Sequence, residues 1–468
     1  MIMLVKLISI HVLSIIVFGV TGNVSIAIFS FLTLSCHWLA ISRFLQEPSL
    51  ERSRNVLMLY SFLLCLISII SYKQSVIIGG ELLPYLNGSD GEGYFENALE
   101  LIGGGKLEQL GFLGGAYFGY QIILSLLFDI FGVNLFLGLL LNNTLLVLTV
   151  LLVVKVTWIL TEDNKSSFYS AVAFILTTKF IYYSNALLKD PFLTFGVALV
   201  LYMVAQIHIR KAMMPSSYLA LISAALIFGV MRQPMLVLIP LSFILLGRTI
   251  LKSIWLPGII FFLIGTSFFA FIGSITNNIL SPELIINIVS DNQLLSKAAD
   301  DGTNIDGIVG RVSSAYGELP MLIRMLLVAI PGTLQFILPF NFWSANFFTD
   351  HFINFFNTNL NIVWYLFVGV FMIYGIIFWR RLPKNMTTRL FLFGAMAYLA
   401  HAFVFGGVVP RYASPYLVLM FPTIGSLMSS LVNKNGDYIH IRNFFQSYYF
   451  LVFFAGIMFI SLSITRYA

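Results

Sequence analysis

A chain of 468 residues that is 59% hydrophobic, 15% aromatic and only 10% charged, with a mean hydropathy of +0.92, cannot hide its apolar surface in a soluble core. Apolar runs about 18 to 25 residues long recur from end to end, which excludes a soluble domain on a single anchor and predicts an all-α, polytopic membrane protein. The net charge of +6 calls for no nucleic acid, because basic loops held in the cytoplasm supply it.

The chain opens with a hydrophobic hairpin over residues 1–41, with spans at 4–20 and 24–40. Lys6 gives the first run the look of a signal peptide, but no small-x-small site leads into a polar region, so it is read as an uncleaved span. Cys36 and Cys65 both fall inside apolar runs and suit packing, not a disulfide framework or a metal cluster. Arg43, Arg52 and Arg54 then share one polar loop, which puts that loop and the N-terminus inside. Span 56–71 leads outward to a first outer loop, 72–132. Up to residue 115 of that loop, Glu81, Asp90, Glu92, Glu96, Glu100 and Glu108 outnumber Lys73 and Lys106.

Here the span count meets a conflict. If 114–131 and 133–160 both crossed, the clusters Arg210 with Lys211, Arg248 with Lys252, Arg380 with Arg381, Lys384 and Arg389, and Lys434 with Arg442 would all face outward. Laying 114–131 along the outer interface, or letting it re-enter, removes the conflict. Spans follow at 134–158, 168–186, 192–209, 218–230, 234–246 and 256–276. A second large outer loop, 277–359, has a polar piece at 290–318 and an apolar, interfacial piece at 319–338. Spans at 361–379, 390–405, 416–431 and 449–464 close the chain within 360–468. The expectation is one transmembrane domain over 1–468, with about 13 crossings and interfacial helices in both large outer loops. No internal or inverted repeat is found, which disfavours a transporter.

This topology collects a small set of polar residues outside: Asp90 and Glu92, Lys189 with Asp190, Arg232 with Gln233, Arg311 and the stretch to 318, and Arg411 with Tyr412. A carboxylate in a hinge between apolar spans is costly unless paired or working, although Asp190 before Pro191 also suits a helix cap. Asp90 and Glu92 stand on a glycine-broken loop that fits an ordinary turn as well as the close approach of a ligand. Beyond it Tyr94, Asn97, Ala98 and Leu101 recur at helical spacing, predicting a short surface helix over 94–102 with Asp90 near its start. Arg232 and Arg411, beside Pro234 and Pro410, fit either snorkelling to lipid headgroups or a fixed site for a lipid phosphate. His351 and His401 have no second ligand at metal spacing and are read as structural.

Three segments resemble a known family. Ser89-Asp90-Gly91-Glu92-Gly93-Tyr94-Phe95-Glu96-Asn97-Ala98 looks like the acidic-x-x-x-Tyr-x-x-x-Ala signature in the first outer loop of GT-C superfamily membrane glycosyltransferases, a group that includes protein mannosyltransferases and aminoarabinose transferases. The segment from Tyr182 through Lys189-Asp190-Pro191 to Leu193 is similar to their second acidic motif. Gly406-Gly407-Val408-Val409-Pro410-Arg411-Tyr412-Ala413-Ser414-Pro415-Tyr416 is similar to their late Arg-Tyr-x-x-Pro motif. The order and spacing hold over roughly residues 55 to 431, with Asp-Gly-Glu in place of an adjacent acidic pair and an additional hairpin before Arg43.

The resemblance implies transfer of a sugar from a polyprenyl-phosphate donor to a lipid-linked glycan or other acceptor, at the outer face of a bacterial cytoplasmic membrane. Asp90, Asp190 and Glu92 would be catalytic. Tyr94, Lys189, Arg232, Arg311, Arg411 and Tyr412 would bind substrate. Asp190 would orient the acceptor or, with Asp90, hold a divalent cation such as Mg²⁺ or Mn²⁺. A polysaccharide polymerase joining lipid-linked repeat units is the alternative, and it would rely on Arg311. A lipid-linked sugar flippase ranks third, because it needs charges at mid-span, whereas Asp129 and Lys155 stand near span ends.

Overall fold

The structure is a computed structural model, described for residues 2–79, 90–104, 119–246, 361–404, 414–434 and 438–467. Every regular element among them is helical. In chain order these are α1 (Ile2–Thr21), α2 (Val24–Phe44), α3 (Glu51–Gly79), α4 (Asp90–Ile102), α5 (Gly119–Phe131), α6 (Leu135–Thr161), α7 (Asn164–Ile175) and α8 (Lys179–Asn185). There follow α9 (Asp190–Arg210), α10 (Pro215–Met231) and α11 (Leu238–Ile244). The later part has α12 (Asn361–Trp364), a π-helical turn Tyr365–Gly369, α13 (Val370–Ile377), α14 (Met386–Val404), α15 (Phe421–Asn433) and α16 (Tyr438–Tyr467). Four stretches, α2, Pro48–Gln74, α6 and α9, are long and apolar enough to cross a membrane.

The centre of the bundle is α6, an apolar run with polar residues only at intervals, buried along most of its length from Leu135 to Thr157. A helix that is apolar all round has to be covered all round. Here α2, α3, α7 and α9 do so. At the periphery the pattern reverses: Ile15 on α1, Leu39 on α2 and Phe450 and Phe453 on α16 are each more than half exposed, as a lipid-facing surface requires. Small residues permit the closest helix contact. A Cβ built on Gly425 of α15 would stand 2.4 Å from the Ser166 carbonyl oxygen of α7.

Several predicted elements differ in extent. The polar loop with Arg43, Arg52 and Arg54 is shorter than expected: a 3-10 turn, Pro48–Leu50, leads straight into α3, so Arg52 and Arg54 lie on its first turns. The span expected at 168–186 is split at Leu176-Thr177-Thr178 into α7 and α8. The span at 234–246 is a 3-10 turn, Gln233–Val237, followed by the seven residues of α11. Span 256–276 and the second outer loop lie outside the described residues.

The two ends of the bundle carry different chemistry. Thr161 of α6, Arg210 of α9 and the start of α7 share one end, because α6 and α9 run parallel from the start of each: Asn142 of α6 bonds to Leu188, just ahead of α9. At that end Lys155 pairs with Glu47 at 2.8 Å and Lys165 donates to Asn433. The charges of Lys211 and Arg389 both reach His208, and Arg389 donates to the Leu245 carbonyl. Lys155, Lys165, Lys211 and Arg389 therefore gather at one basic end, while Arg248 and Lys252 lie outside the described residues.

The position of α5 bears on the span count. At its start Tyr120 meets Phe192 of α9 and Gly119 meets Val230, near the end of α10. At its finish a Cβ built on Gly132 would stand 3.9 Å from the Asn23 side chain, in the α1–α2 turn, and α6 begins soon after. Both ends of α5 thus sit at the end of the bundle opposite the basic loops. Its 13 residues span about 20 Å, short of a hydrocarbon core of about 30 Å.

Candidate functional site at the hinge between α8 and α9

Between α8 and α9 the helix breaks over Ala186-Leu187-Leu188-Lys189. Leu187 takes a left-handed backbone, φ 51°, which costs a residue with a Cβ roughly 1–2 kcal/mol. The surroundings hold it there. Leu187 is fully buried against Gly138 of α6, where a Cβ would approach its Cδ1 to 2.4 Å.

A break inside apolar surroundings frees carbonyls that need partners. Asn142 of α6 supplies them: its Nδ2 donates to the Ser184 carbonyl at 3.2 Å and the Leu188 carbonyl at 3.0 Å. Next to it, Asn143 Nδ2 donates to the Leu64 carbonyl at 3.1 Å and to Ser68 Oγ at 2.6 Å. Ser68 Oγ in turn donates to Asn185 Oδ1 at 2.6 Å, and Asn185 Nδ2 returns to the Ile181 carbonyl at 2.9 Å. All of these groups are buried, and the network ties α3, α6 and α8 into one rigid support for the hinge.

The hinge presents Lys189 and Asp190, 7% and 2% exposed. The capping role expected of Asp190 differs in detail: Lys189 holds the cap position and Asp190 is the first residue of α9, followed by Pro191. Its carboxylate therefore stands in the first turn, where the helix dipole favours a negative charge.

The segment with Asp90 and Glu92 meets this hinge. Both acids occupy the first turn of α4, which begins at Asp90 itself and not at Tyr94 as predicted. One face of α4 stays at the surface, with Glu96 and Glu100 exposed, and the other is covered. Tyr94, Phe95 and Ala98 are buried because α5 covers them, with Phe95 on Phe128 at 5.3 Å and Tyr94 on Tyr120 at 5.3 Å. The Lys189 ammonium stands 5.6 Å from the centre of the Tyr94 ring, a cation–π contact between segments far apart in the chain. Tyr120 continues to Phe192 at 5.7 Å, so α4, α5 and the start of α9 share one aromatic seam. Asp90 and Glu92 remain half-buried at its edge.

Arg232, just after α10, comes to the same end. Gly119 of α5 packs on Val230, and the Arg232 charge acts on the Tyr416 phenol. Tyr416 belongs to a buried 3-10 turn, Ser414–Leu419, packed on α9 and α14. The late motif therefore arrives beside Arg232 through its last residues. Arg411, Tyr412 and Arg311 lie outside the described residues.

Sequence reasoning missed the residues that support the hinge from other helices, Asn142, Asn143 and Ser68. The adjacent amides Asn142-Asn143 inside an otherwise apolar run were the available signal. Among the described residues no group of three His, Cys, Asp or Glu side chains could hold an ion.

At the opposite end Asp163 caps α7. Its carboxylate accepts from the backbone N–H of Lys165 and Ser166 at 3.0 Å and from Ser429 Oγ of α15 at 3.0 Å. Burial alone would raise its pKa, but the Ser166 hydroxyl, these N–H groups and Ser429 together hold it below the usual carboxylate range.

The described residues thus define a helical protein with several apolar helices able to span a membrane and a charged, aromatic-lined hinge at the end opposite its basic loops. No family model matches the chain, and neither a curated protein nor a solved structure is similar to it.

Proposed function

We propose that the protein is a membrane glycosyltransferase of the GT-C type, with about 13 spans, its N-terminus inside, and its site on the outer face of a bacterial cytoplasmic membrane. The observation that carries this reading is the meeting of Tyr94, from the Asp90 segment, with Lys189 beside Asp190. Both acidic motifs of the resemblance come together at the end opposite the basic loops.

In this reading a polyprenyl-phosphate sugar enters sideways, with its phosphate against Lys189, Arg232 and Arg411. The acceptor hydroxyl oxygen forms a bond to the anomeric carbon as the bond from that carbon to the phosphate oxygen breaks. The phosphate leaves with the electron pair, and fixed positive charge stabilises it. Asp90 takes the hydroxyl proton as general base, and Asp190 orients the acceptor. Glu92, on the same turn as Asp90, lies within the same acidic patch. Direct displacement inverts the anomeric centre.

The test is to supply purified protein with a polyprenyl-phosphate sugar or, separately, with lipid-linked repeat units. Product from the first alone supports the transferase; product from the second alone makes the protein a polymerase. Loss of product in Asp90→Asn, with the protein still monodisperse, assigns the base. Undiminished turnover in that variant would remove Asp90 from the mechanism.

A further inference from the structure

The break between α7 and α8 contains a charge that the hinge chemistry does not use. Lys179 opens α8 and lies well inside the bundle. Asn142 is about 28 Å along α6 from Thr161 at 1.5 Å per residue, and Lys179 is about 8 Å down α8 from Ser184, to which Asn142 bonds. That places Lys179 about 20 Å from the basic end, near the middle of a hydrocarbon core about 30 Å thick. A charged side chain at that depth faces protein or an internal cavity and marks a working site unless it is neutralised.

Nothing neutralises it among the described residues: burial is the single influence on its ammonium, and neither a carboxylate nor a hydrogen-bond acceptor reaches it. Enclosed by protein in this way, Lys179 still keeps part of its surface open, whereas Thr178 and Phe180 on either side are covered. Beside it, the Thr178 hydroxyl is buried, makes no capping bond and has no hydrogen-bond partner. One turn further on the same face of α8, Tyr183 lies within electrostatic reach of Tyr398 of α14, which also senses Tyr365 of the π-turn. The surroundings of Lys179 thus bring together a cation, a hydroxyl without a partner among the described residues and phenols on facing elements.

We propose that Lys179 and Thr178 form a second, internal binding site for a phosphate-class anion, separate from the Lys189 and Arg232 position and filled by the headgroup of a further lipid that enters below the Lys189–Asp190 hinge. The identity of the lipid rests on the glycosyltransferase reading; the anion site does not. A compact ammonium on a flexible stem suits a phosphate oxygen as a point charge. Thr178 Oγ1 completes it by donating to a second oxygen.

The test uses the full-length protein in detergent or nanodiscs, with farnesyl phosphate, farnesol and inorganic phosphate as probes and thermal unfolding as the readout. Farnesyl phosphate should raise the melting temperature of the wild type and of Lys179→Arg, and farnesol should not. Stabilisation by inorganic phosphate alone would make the ligand a free anion, overturning the lipid source while leaving the site in place. Lys179→Met should bind farnesyl phosphate at least tenfold more weakly. Without ligand, Lys179→Met should melt at or above the wild-type temperature, because it removes an uncompensated buried charge. Thr178→Val gives an independent measure, with an expected loss of about threefold or more. Lys179→Met binding within twofold of wild type, or melting lower in the absence of ligand, would overturn the assignment. So would a wild type that responds to no phosphate probe. Asp90→Asn should keep the full phosphate response, so loss of transfer and loss of this site are told apart.

Discussion

The two ends of this bundle solve the problem of ending a helix in opposite ways. At the basic end, turns are local and cheap. Asp163 caps α7, Glu162 and Lys211 close α6 and α9 in left-handed caps, and ion pairs such as Lys155 with Glu47 stand partly in solvent. At the hinge end the break before α9 is supported from outside, by amides of α6 and a serine of α3 reaching in from distant sequence. A turn that closes on itself needs only its own residues. A turn that must hold a lysine and a carboxylate out of water needs the rest of the protein, and the proposed site is placed at that turn.

The largest effect expected from breaking this contrast is chemical. Asp190→Asn should lower transfer by 10²-fold or more with little change in melting temperature, as measured by product formation from a polyprenyl-phosphate sugar, if Asp190 orients the acceptor. Asn142→Leu should damage both properties. It leaves the Ser184 and Leu188 carbonyls without the donor they share, at a cost of about 1–3 kcal/mol, and it loosens Lys189 and Asp190. Thermal unfolding together with activity per folded molecule separates the two losses.

The basic end should respond differently. Gly425→Ala drives a Cβ into the Ser166 carbonyl and should destabilise by about 1–3 kcal/mol, while the protein that remains folded keeps its full activity. Asp163→Ala should cost about 1 kcal/mol through the lost cap, again with activity per folded molecule unchanged.

The smallest effect is one of pH. The Asp163 carboxylate is held below its ordinary value in the folded state, so its contribution is complete above about pH 4, the unfolded value, and fades as pH falls through the depressed one. Melting curves from pH 6 to pH 3 should show a decline in wild type that is shallower in Asp163→Ala. Identical slopes would remove the carboxylate from the stability of this end.

Composition and charge alone determined the helical class, the apolar length of α2, α6 and α9, and the grouping of basic loops, because hydropathy and the cost of moving charge across lipid act on short stretches of chain. The same logic expects residues 114–131 not to cross; of these, the described helix α5 has both ends at one end of the bundle. Three decisions came only from tertiary structure. The break at Leu176-Thr177-Thr178, in a stretch that reads as one span, is not specified by local propensity. Periodicity marked Tyr94 and Ala98 as one face of α4, but that α5 covers this face, with Tyr120 on Tyr94 and Phe128 on Phe95, is a matter of packing. A hinge before Asp190 was legible in the sequence, whereas its left-handed turn at Leu187 exists because Gly138 leaves room for it and Asn142 satisfies its carbonyls. Each depends on contacts between residues tens of positions apart, and such contacts form only when the helices pack.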